Sequence, residues 1–180
     1  MKNVILGLAV SAALVSGAAS AADVTAEWRD SSNGINQYKV EVTNTVGDLK
    51  LAAEAETTQA KGDGKVSQLF AAGVGYKVNY DGFSFTPFVQ VVDNLNTNAA
   101  DQRLLGVGLK VSHDLVGPLV ADAEYRYRAT FDGASSHENR EKLAVTWNVT
   151  KQHAVGAAYY LYSGSSASNH REGVFYKYTF

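Results

Sequence analysis

The chain has 180 residues, of which 46% are hydrophobic and 19% are charged, and its formal net charge at pH 7 is −2. These values exclude a disordered polar chain, a collagen-like fibre and a coiled coil, and they predict a single folded domain. Because there is no basic excess, nucleic acid is not an expected partner. The sequence contains no cysteine, which excludes a disulfide framework, a thiolate nucleophile and a cysteine-ligated metal site.

The N-terminal segment 1–21 has the three-part layout of a secretory signal peptide. Lys2 gives it a positive start, an apolar run covers 4–15, and small residues follow as far as Ala21. The apolar run is too short to cross a bilayer as a helix. The alternatives are an uncleaved N-terminal anchor or an amphipathic helix, but the run has no polar face. We expect export, cleavage after Ala21 and a mature domain of 22–180.

The mature chain repeats with a period of two residues. At its start, the apolar residues Val24, Ala26 and Trp28 alternate with polar ones. This is the pattern of a β-strand, and no later segment has helical periodicity or a run of 18 apolar residues. The alternation predicts ten strands, at 23–30, 37–46, 49–58, 69–79, 83–92, 103–113, 119–129, 142–149, 153–162 and 173–180.

The connections between these strands alternate between two kinds. Tight turns are predicted at 46–48, 80–82, 115–118 and 150–152, and longer loops rich in Ser, Asn, Gly and Ala at 30–36, 59–67, 93–102, 130–141 and 163–172. Outer-membrane barrels have short periplasmic turns, longer external loops and an even number of strands. A soluble sandwich or a lipocalin-like barrel would instead mix loop lengths and face its apolar stripe inward.

Aromatic residues gather at both ends of the predicted strands, while the middle of the same face is Val, Leu and Ala. Core packing explains any one of them, but grouping at two levels is typical of the aromatic girdles of a membrane barrel. The predicted girdles comprise Trp28, Tyr38, Phe70, Tyr125 and Tyr127 at the loop end, and Tyr76, Phe83, Phe85, Trp147, Tyr178 and Phe180 at the turn end.

The last strand ends in Phe180, with Tyr178 and Tyr176 two and four positions earlier. This segment resembles the C-terminal signal of bacterial outer-membrane barrels, which implies delivery to the barrel assembly machinery. We therefore predict an all-β fold, a closed antiparallel transmembrane β-barrel of about ten strands, with eight or twelve as alternatives. Its expected location is the outer membrane of a Gram-negative bacterium. Its expected surroundings are outer-membrane lipid and lipopolysaccharide, and its expected state is a monomer.

A finer resemblance rests on short charged segments. Glu27-Trp28-Arg29, Tyr38-Lys39-Val40-Glu41, Glu124-Tyr125-Arg126-Tyr127-Arg128 and Glu138-Asn139-Arg140-Glu141-Lys142 look like those of the oligogalacturonate-specific porin family. These small monomeric porins pass acidic oligosaccharides through twelve-stranded barrels with a lumen lined by Arg and Lys. The resemblance implies a place in the lumen for Arg29, Lys39, Arg126, Arg128 and Lys142.

The face opposite the apolar stripe is predicted to line the lumen. Nine of its charged residues are basic and six are acidic. Because a charge removed from water is costly unless it is paired, these residues should form a cross-lumen network of ion pairs. The predicted lumen set is Glu27, Arg29, Lys39, Glu41, Lys50, Glu54, Glu56, Lys77, Lys110, Asp122, Glu124, Arg126, Arg128, Lys142 and Lys177.

Two functions follow from this interior. About eight strands leave an interior that side chains just fill, and about 16 to 18 leave an aqueous channel, so ten allow at most a narrow path. The first hypothesis is a narrow pore for small solutes, with anions preferred because of the basic excess. The alternative is a closed structural or surface-interaction barrel with a plugged, salt-bridged lumen and no transport activity. Small inward residues such as Gly73 and Gly106 leave room for either large side chains or water.

The sequence predicts no enzyme, no cofactor and no metal site. His137 and His170 fall in predicted loops, near Ser136 and Glu138, but a catalytic triad needs a base that a third group holds rigidly. Loops of this composition do not suggest such placement. The remaining histidines fall near the predicted turns and provide no metal-ligand set.

Pro87 conflicts with the predicted barrel. It falls in the middle of 83–92 and on the lipid face, yet a closed barrel has no edge strand that tolerates a missing N–H. We therefore expect a β-bulge at this position, or a strand boundary that differs from the predicted one.

Overall fold

The computed structural model describes residues 22–31, 34–60, 66–96, 102–131, 136–165 and 168–180. The predicted signal peptide, 1–21, lies outside the described residues. Among the residues that are described, no helix is long and apolar enough to cross a bilayer.

The chain forms a closed antiparallel β-barrel, as the alternation predicted. Its strand segments are β1 (Ala22–Ser31), β2 (Ile35–Val46), β3 (Leu49–Ala60), β4 (Val66–Tyr76), β5 (Val78–Tyr80), β6 (Phe83–Asn96), β7 (Gln102–Asp114), β8 (Leu119–Thr130), β9 (His137–Asn148), β10 (His153–Gly164) and β11 (Asn169–Thr179). Apart from β4 and β5, segments that are neighbours in the chain pair with each other, and β1 pairs with β11, which closes the sheet. Both β4 and β5 pair with β6, so together they make one barrel strand. The barrel has ten strands, not the twelve that the finer resemblance implies.

The two ends of the barrel differ in their connections. We call the end with the connections after β2, β5, β7 and β9 the turn end. The opposite end, with the connections after β1, β3, β6, β8 and β10, is the loop end. At the turn end, Gly47, Gly82 and Gly117 have positive φ angles of 61°, 77° and 66°. Asp81 also has a positive φ, of 48°, so Asp81-Gly82 is a two-residue hairpin turn of the kind whose twist matches that of its strands.

The strands extend further at the loop end than the alternation predicted. The outer parts of the predicted loops 93–102, 130–141 and 163–172 belong to β6, β9 and β11. These added residues are polar on both faces, so hydropathy does not mark them as strand. As a result Glu138 and Arg140 lie on the inward face of β9 and not in a loop.

Pro87 interrupts one ladder without shifting its register. β4 pairs with β6 as far as Gly75, and pairing resumes at Val78 in the same register. No residue is inserted, so the bulge is absent; of the two alternatives, the different strand boundary is observed, because β6 continues to Asn96 and does not end at 92. The gap falls opposite Pro87 because proline has no N–H to donate. On the other side of the β4–β5 strand, the N–H of Lys77 donates to the carbonyl oxygen of Asp48 at 2.8 Å, which continues the pairing with β3.

Polarity is inverted between the two faces of the barrel relative to a soluble protein. Outward Val91 and Leu143 are 56% and 63% exposed, whereas inward Arg29 and Arg126 are 0% and 2% exposed. A sheet with an apolar outside and a polar inside matches a lipid exterior.

The predicted girdle aromatics all lie on the outward face of their strands. Trp28 and Tyr38 are direct cross-strand partners at the loop end. At the turn end, the rings of Tyr178 and Phe180 meet edge to face, with centroids 4.8 Å apart. Tyr80 also lies at the turn end and is 74% exposed, although the alternation did not single it out.

Small inward residues make room for large inward side chains. A Cβ atom on Gly156 would collide with the ring of Phe175, and one on Gly108 would collide with the ring of Phe88. Alternation of small and large residues is how a small barrel fills its interior. Next to Gly108 and Gly156, the space beside the glycine is therefore filled by an aromatic side chain and not by water.

Gly156→Ala should lower the free energy of unfolding by about 1–3 kcal/mol, because the added methyl group overpacks the interior against Phe175. Urea denaturation of the refolded barrel in detergent measures the loss. In a Phe175→Ala background the same change should cost less. The matched control is Ala157→Val on the outward face, with an expected change within about 0.5 kcal/mol. An equal cost of Gly156→Ala in both backgrounds would contradict this packing.

Candidate functional site in the barrel lumen

The structure places the whole predicted lumen set on the inner side of the barrel. All but Lys77 lie on strands, and Lys77 lies between β4 and β5 at the wall of a turn-end cavity. From the loop end to the turn end, the set comprises Arg29, Glu27 and Glu56; then Lys39, Glu41, Glu54, Glu124, Arg126, Arg128 and Lys142; then Lys50, Lys77, Lys110, Asp122 and Lys177. A role for these residues in solute passage stays a prediction.

Arg29 is the centre of a buried cluster in the loop half of the lumen. Its Nη2 lies 2.8 Å from Glu27 Oε2, and its Nη1 lies 3.1 Å from Glu56 Oε2. Nη1 also donates to Gln37 Oε1 at 2.9 Å and to the Tyr162 hydroxyl at 3.3 Å. These contacts join β1, β2, β3 and β10, so one guanidinium ties four barrel strands together.

Tyr160 closes this cluster from the side of β10. Its ring centroid lies 4.3 Å from Arg29 Cζ, and its hydroxyl donates to Glu27. Both Arg29 and Tyr160 are fully buried. A cation on an aromatic face is attracted more strongly when water is excluded. We call Glu27, Arg29, Gln37, Glu56, Tyr160 and Tyr162 the Arg29 cluster.

Glu54 joins opposite walls of the barrel in the middle of the lumen. Its Oε2 lies 3.1 Å from Lys39 Nζ on the neighbouring strand β2. Its Oε1 lies 3.4 Å from Arg128 Nη2 and 3.8 Å from Arg126 Nη1, both on β8. Three barrel strands separate β3 from β8 on one side and five on the other. The ion pairs of Glu54 therefore cross the lumen, as the sequence analysis expected of this network.

Besides the pairs of Arg126 and Arg128 with Glu138 on β9, two further ion pairs link adjacent strands. Glu124 on β8 pairs with Arg140 on β9. Asp122 pairs with Lys110 on β7 at 3.0 Å and also accepts from the Ser112 hydroxyl at 2.5 Å. The Lys110 side chain is 32% exposed, so this second pair is partly solvated, unlike the pairs of Arg29.

Other predicted lumen residues are not drawn into these pairs. Lys142 Nζ lies 5.5 Å from the ring centroid of Tyr160 and 5.6 Å from that of Phe175. Lys50 and Lys77 line the turn-end cavity. These cations keep the turn half of the described lumen more basic than the loop half.

Several lumen residues were missed by the sequence analysis. Arg140, Arg171, Asp23, Asp114 and Glu138 share the inward parity and add two basic and three acidic charges, so the basic excess of the lumen falls from three to two. Strand parity would have found Asp23, but the strand starts of β9 and β11 carried no hydropathy signal. Tyr160 lies on a strand that is apolar on both faces, which hides its direction.

Two cavities open along the turn half of the lumen. A central cavity of about 90 Å³ is lined by Glu54, Arg126 and Arg140, among others. A turn-end cavity of about 570 Å³ leads outward from it. The two share the lining residues Lys50, Thr86 and Lys110. Adjacent cavities therefore line the lumen from the turn end to the level of Glu54, whereas the side chains of the Arg29 cluster are buried.

The histidines make structural contacts. Ser165 Oγ lies 3.1 Å from His137 Nδ1, but the same hydroxyl accepts from the His137 backbone N–H at 2.9 Å. This arrangement closes the loop end of the β9–β10 pair. His170 stacks on Tyr159, with ring centroids 6.0 Å apart. Within the described ranges, no group of three or more His, Asp or Glu side chains could hold a metal ion.

Arg29→Ala should lower the free energy of unfolding by about 3–5 kcal/mol, because it leaves the buried carboxylates of Glu27 and Glu56 without their cation. Urea denaturation of the refolded barrel measures the loss. The matched control is Lys110→Ala, with an expected loss of at most about 1 kcal/mol, because its pair is partly solvated and Asp122 keeps its bond to Ser112. Equal losses in the two variants would contradict the assignment of Arg29 as the buried centre.

No protein-family model matches the sequence, and no curated protein matches it. Comparison with solved structures finds porins. The NanC porin is 13% identical with a TM-score of 0.56, and the match covers 87% of this chain and 98% of that one. The KdgM porin is 10% identical with a TM-score of 0.54, and the match covers 88% of this chain and 99% of that one.

The KdgM porin has also been solved in complex with disordered oligogalacturonate. An anion-selective porin from Comamonas acidovorans is 12% identical with a TM-score of 0.49; the match covers 87% of this chain but 59% of that porin's length. The NanC and KdgM likenesses agree with the barrel closure observed here. The fold of this chain is that of the outer-membrane porins.

Proposed function

We propose that the protein is an outer-membrane barrel whose narrow lumen admits small solutes and prefers anions. The observation that carries the proposal is the pair of cavities that share Lys50 and Lys110 and reach the level of Glu54. A lined cleft with an excess of one charge raises the local concentration of the opposite ion. Because the inward set has more basic than acidic residues, that ion is an anion.

Acidic oligosaccharides are the first solutes to test. The KdgM porin was solved with oligogalacturonate, and the charged segments of this chain resemble those of the oligogalacturonate-specific porins. Lys39, Arg126 and Arg128 from those segments converge on Glu54 in the middle of the lumen. A chain with ten strands leaves a narrower path than one with twelve, so short oligomers should pass more readily than long ones.

The outward face supports placement in an outer membrane as a monomer, with lipid and lipopolysaccharide around it. Tyr176, Tyr178 and Phe180 form an outward stripe at the turn end, and the Tyr176 hydroxyl lies 2.6 Å from His153 Nδ1. We propose that the barrel assembly machinery recognises this stripe before the strand pairs with β1. We propose no enzymatic role and no cofactor for this protein.

A closed barrel is the second candidate function, favoured by one observation. The guanidinium of Arg29 has no exposed surface, and its contacts fill the loop half of the lumen. If this cluster never opens, the protein is a structural or surface-interaction barrel without transport. The two candidates differ in whether ions cross the level of the Arg29 cluster.

Single-channel recording of the refolded barrel in a planar bilayer separates the two candidates. Under a salt gradient, we expect small current steps whose reversal potential shows anion preference. Replacing Arg126 and Arg128 by Ala should change the conductance and reduce that preference, because both side chains face the path. A heat-shift gel confirms that each variant is folded.

The matched control is Arg103→Ala, which removes one positive charge from the outward face at the loop end. It should leave the reversal potential unchanged. A cation preference in the unmodified protein would contradict the proposed selectivity. A folded but silent barrel would reject the pore and favour the closed alternative.

A further inference from the structure

Glu54 lies where three cations from two walls of the lumen converge. Lys39 approaches it from β2, and Arg126 and Arg128 approach it from β8. The Glu54 side chain is 9% exposed, and those of the three cations are 2–4% exposed. Lys39 also lies 2.5 Å from Glu41 Oε2, and both arginines also pair with Glu138. Among the described residues, Glu54 is the carboxylate that all three cations share, and it reaches them from a third strand.

The two arginines are held loosely by that carboxylate. Their nitrogens lie 3.4 Å and 3.8 Å from Glu54 Oε1, whereas a charge-assisted N–H···O bond is normally about 2.7–2.9 Å long. Arg126 Nε has no hydrogen-bond partner among the described residues, although it is buried. The other acidic partner of both arginines is Glu138, at 3.4 Å and 3.9 Å. A carboxylate that is free to move could approach these donors more closely than one tethered to β3.

Arg126 also lies opposite another cation, although each of the two has an acidic partner of its own. It is the direct cross-strand partner of Arg140, and both side chains line the central cavity. Arg140 has two donors, Nε and Nη1, without a partner among the described residues. Like charges directly opposite each other destabilise a sheet, and an added negative charge beside them would offset that repulsion.

The central cavity gives a small solute access to this point. Its volume of about 90 Å³ exceeds the space of about 10–15 Å³ that one ordered water needs. Glu54 and Arg126 form part of its wall, and its other end meets the turn-end cavity. A two-carbon carboxylate entering from the turn end would therefore reach Arg126 and Glu54 without passing the Arg29 cluster.

We propose that Glu54 is the built-in occupant of an anion site formed by Lys39, Arg126 and Arg128, and that the carboxylate of a solute takes its place. This inference deepens the proposed function and rests on it only in that the solute must enter the lumen. Glu54 acts as a tethered competitor, so it sets which solutes bind. A carboxylate displaces it by supplying the same charge, whereas a neutral molecule of the same shape does not.

Chemical rescue of Glu54→Ala with acetate tests the site. Acetate has the charge and shape of the missing carboxylate, and acetamide is its neutral counterpart. The midpoint of thermal unfolding is measured in detergent at constant ionic strength, with chloride replaced stepwise by acetate. Glu54→Ala should unfold at a lower temperature than the unmodified barrel, and acetate should raise that temperature saturably, because a ligand of the folded state stabilises it. Acetamide should have no effect.

The unmodified barrel should bind acetate more weakly, by on the order of tenfold or more, because a tethered group competes at a high effective concentration. Asp122→Ala is the matched control. Like Glu54→Ala, it removes one negative charge from the lumen. The Asp122 carboxylate pairs with Lys110 on the adjacent strand and not with the three cations around Glu54, so acetate should produce no saturable shift of the unfolding midpoint. If Glu54→Ala does not refold, Glu54→Ser, which also leaves the space of the carboxylate empty, enters the same titration.

The absence of an acetate-dependent shift in the Glu54 variant would overturn the proposal, and so would an equal shift in Asp122→Ala. The titration needs no transport across the membrane. A barrel that is silent in a bilayer but shows the saturable shift would therefore retain the anion site while the pore is rejected.

Discussion

Burial of the Arg29 guanidinium is the constraint on which the loop half of the lumen depends. A charge without access to water needs partners nearby, and the outward face of this barrel is apolar. Glu27, Glu56, Gln37 and Tyr160 supply those partners from different strands. The interior of this barrel is thus polar. Ion pairs between its strands stabilise it, whereas apolar packing stabilises the interior of a soluble domain.

The same pairing divides the lumen into two halves with different properties. At the Arg29 cluster, buried side chains from β1, β2, β3 and β10 meet, whereas the turn half holds two adjacent cavities that Lys50 and Lys110 line. Glu54 lies at the boundary and joins opposite walls through Arg126 and Arg128. An anion arriving from the turn end would meet Glu54 before any closed part of the barrel. The proposed selectivity and the proposed closure therefore depend on different residues.

Sequence alternation predicted the barrel and the direction of most side chains, because lipid on one side and a polar lumen on the other impose a period of two. The prediction from alternation failed where the two faces of a strand do not differ in polarity. At the starts of β9 and β11 both faces are polar, so Arg140 and Arg171 were missed. On β10 both faces are apolar, so the inward direction of Tyr160 was hidden. Pairing distances, such as those around Glu54, depend on how strands meet across the lumen, which periodicity along one strand does not encode.

Cysteine accessibility tests most directly whether the lumen is open at one end and closed at the other. The chain has no cysteine, so a single introduced thiol reports on one position. Ser112→Cys, in the turn-end cavity, should react quickly with a charged methanethiosulfonate reagent, whereas Gln37→Cys, in the Arg29 cluster and 2% exposed, should not. Equal reaction rates at both positions in the folded barrel would contradict the account.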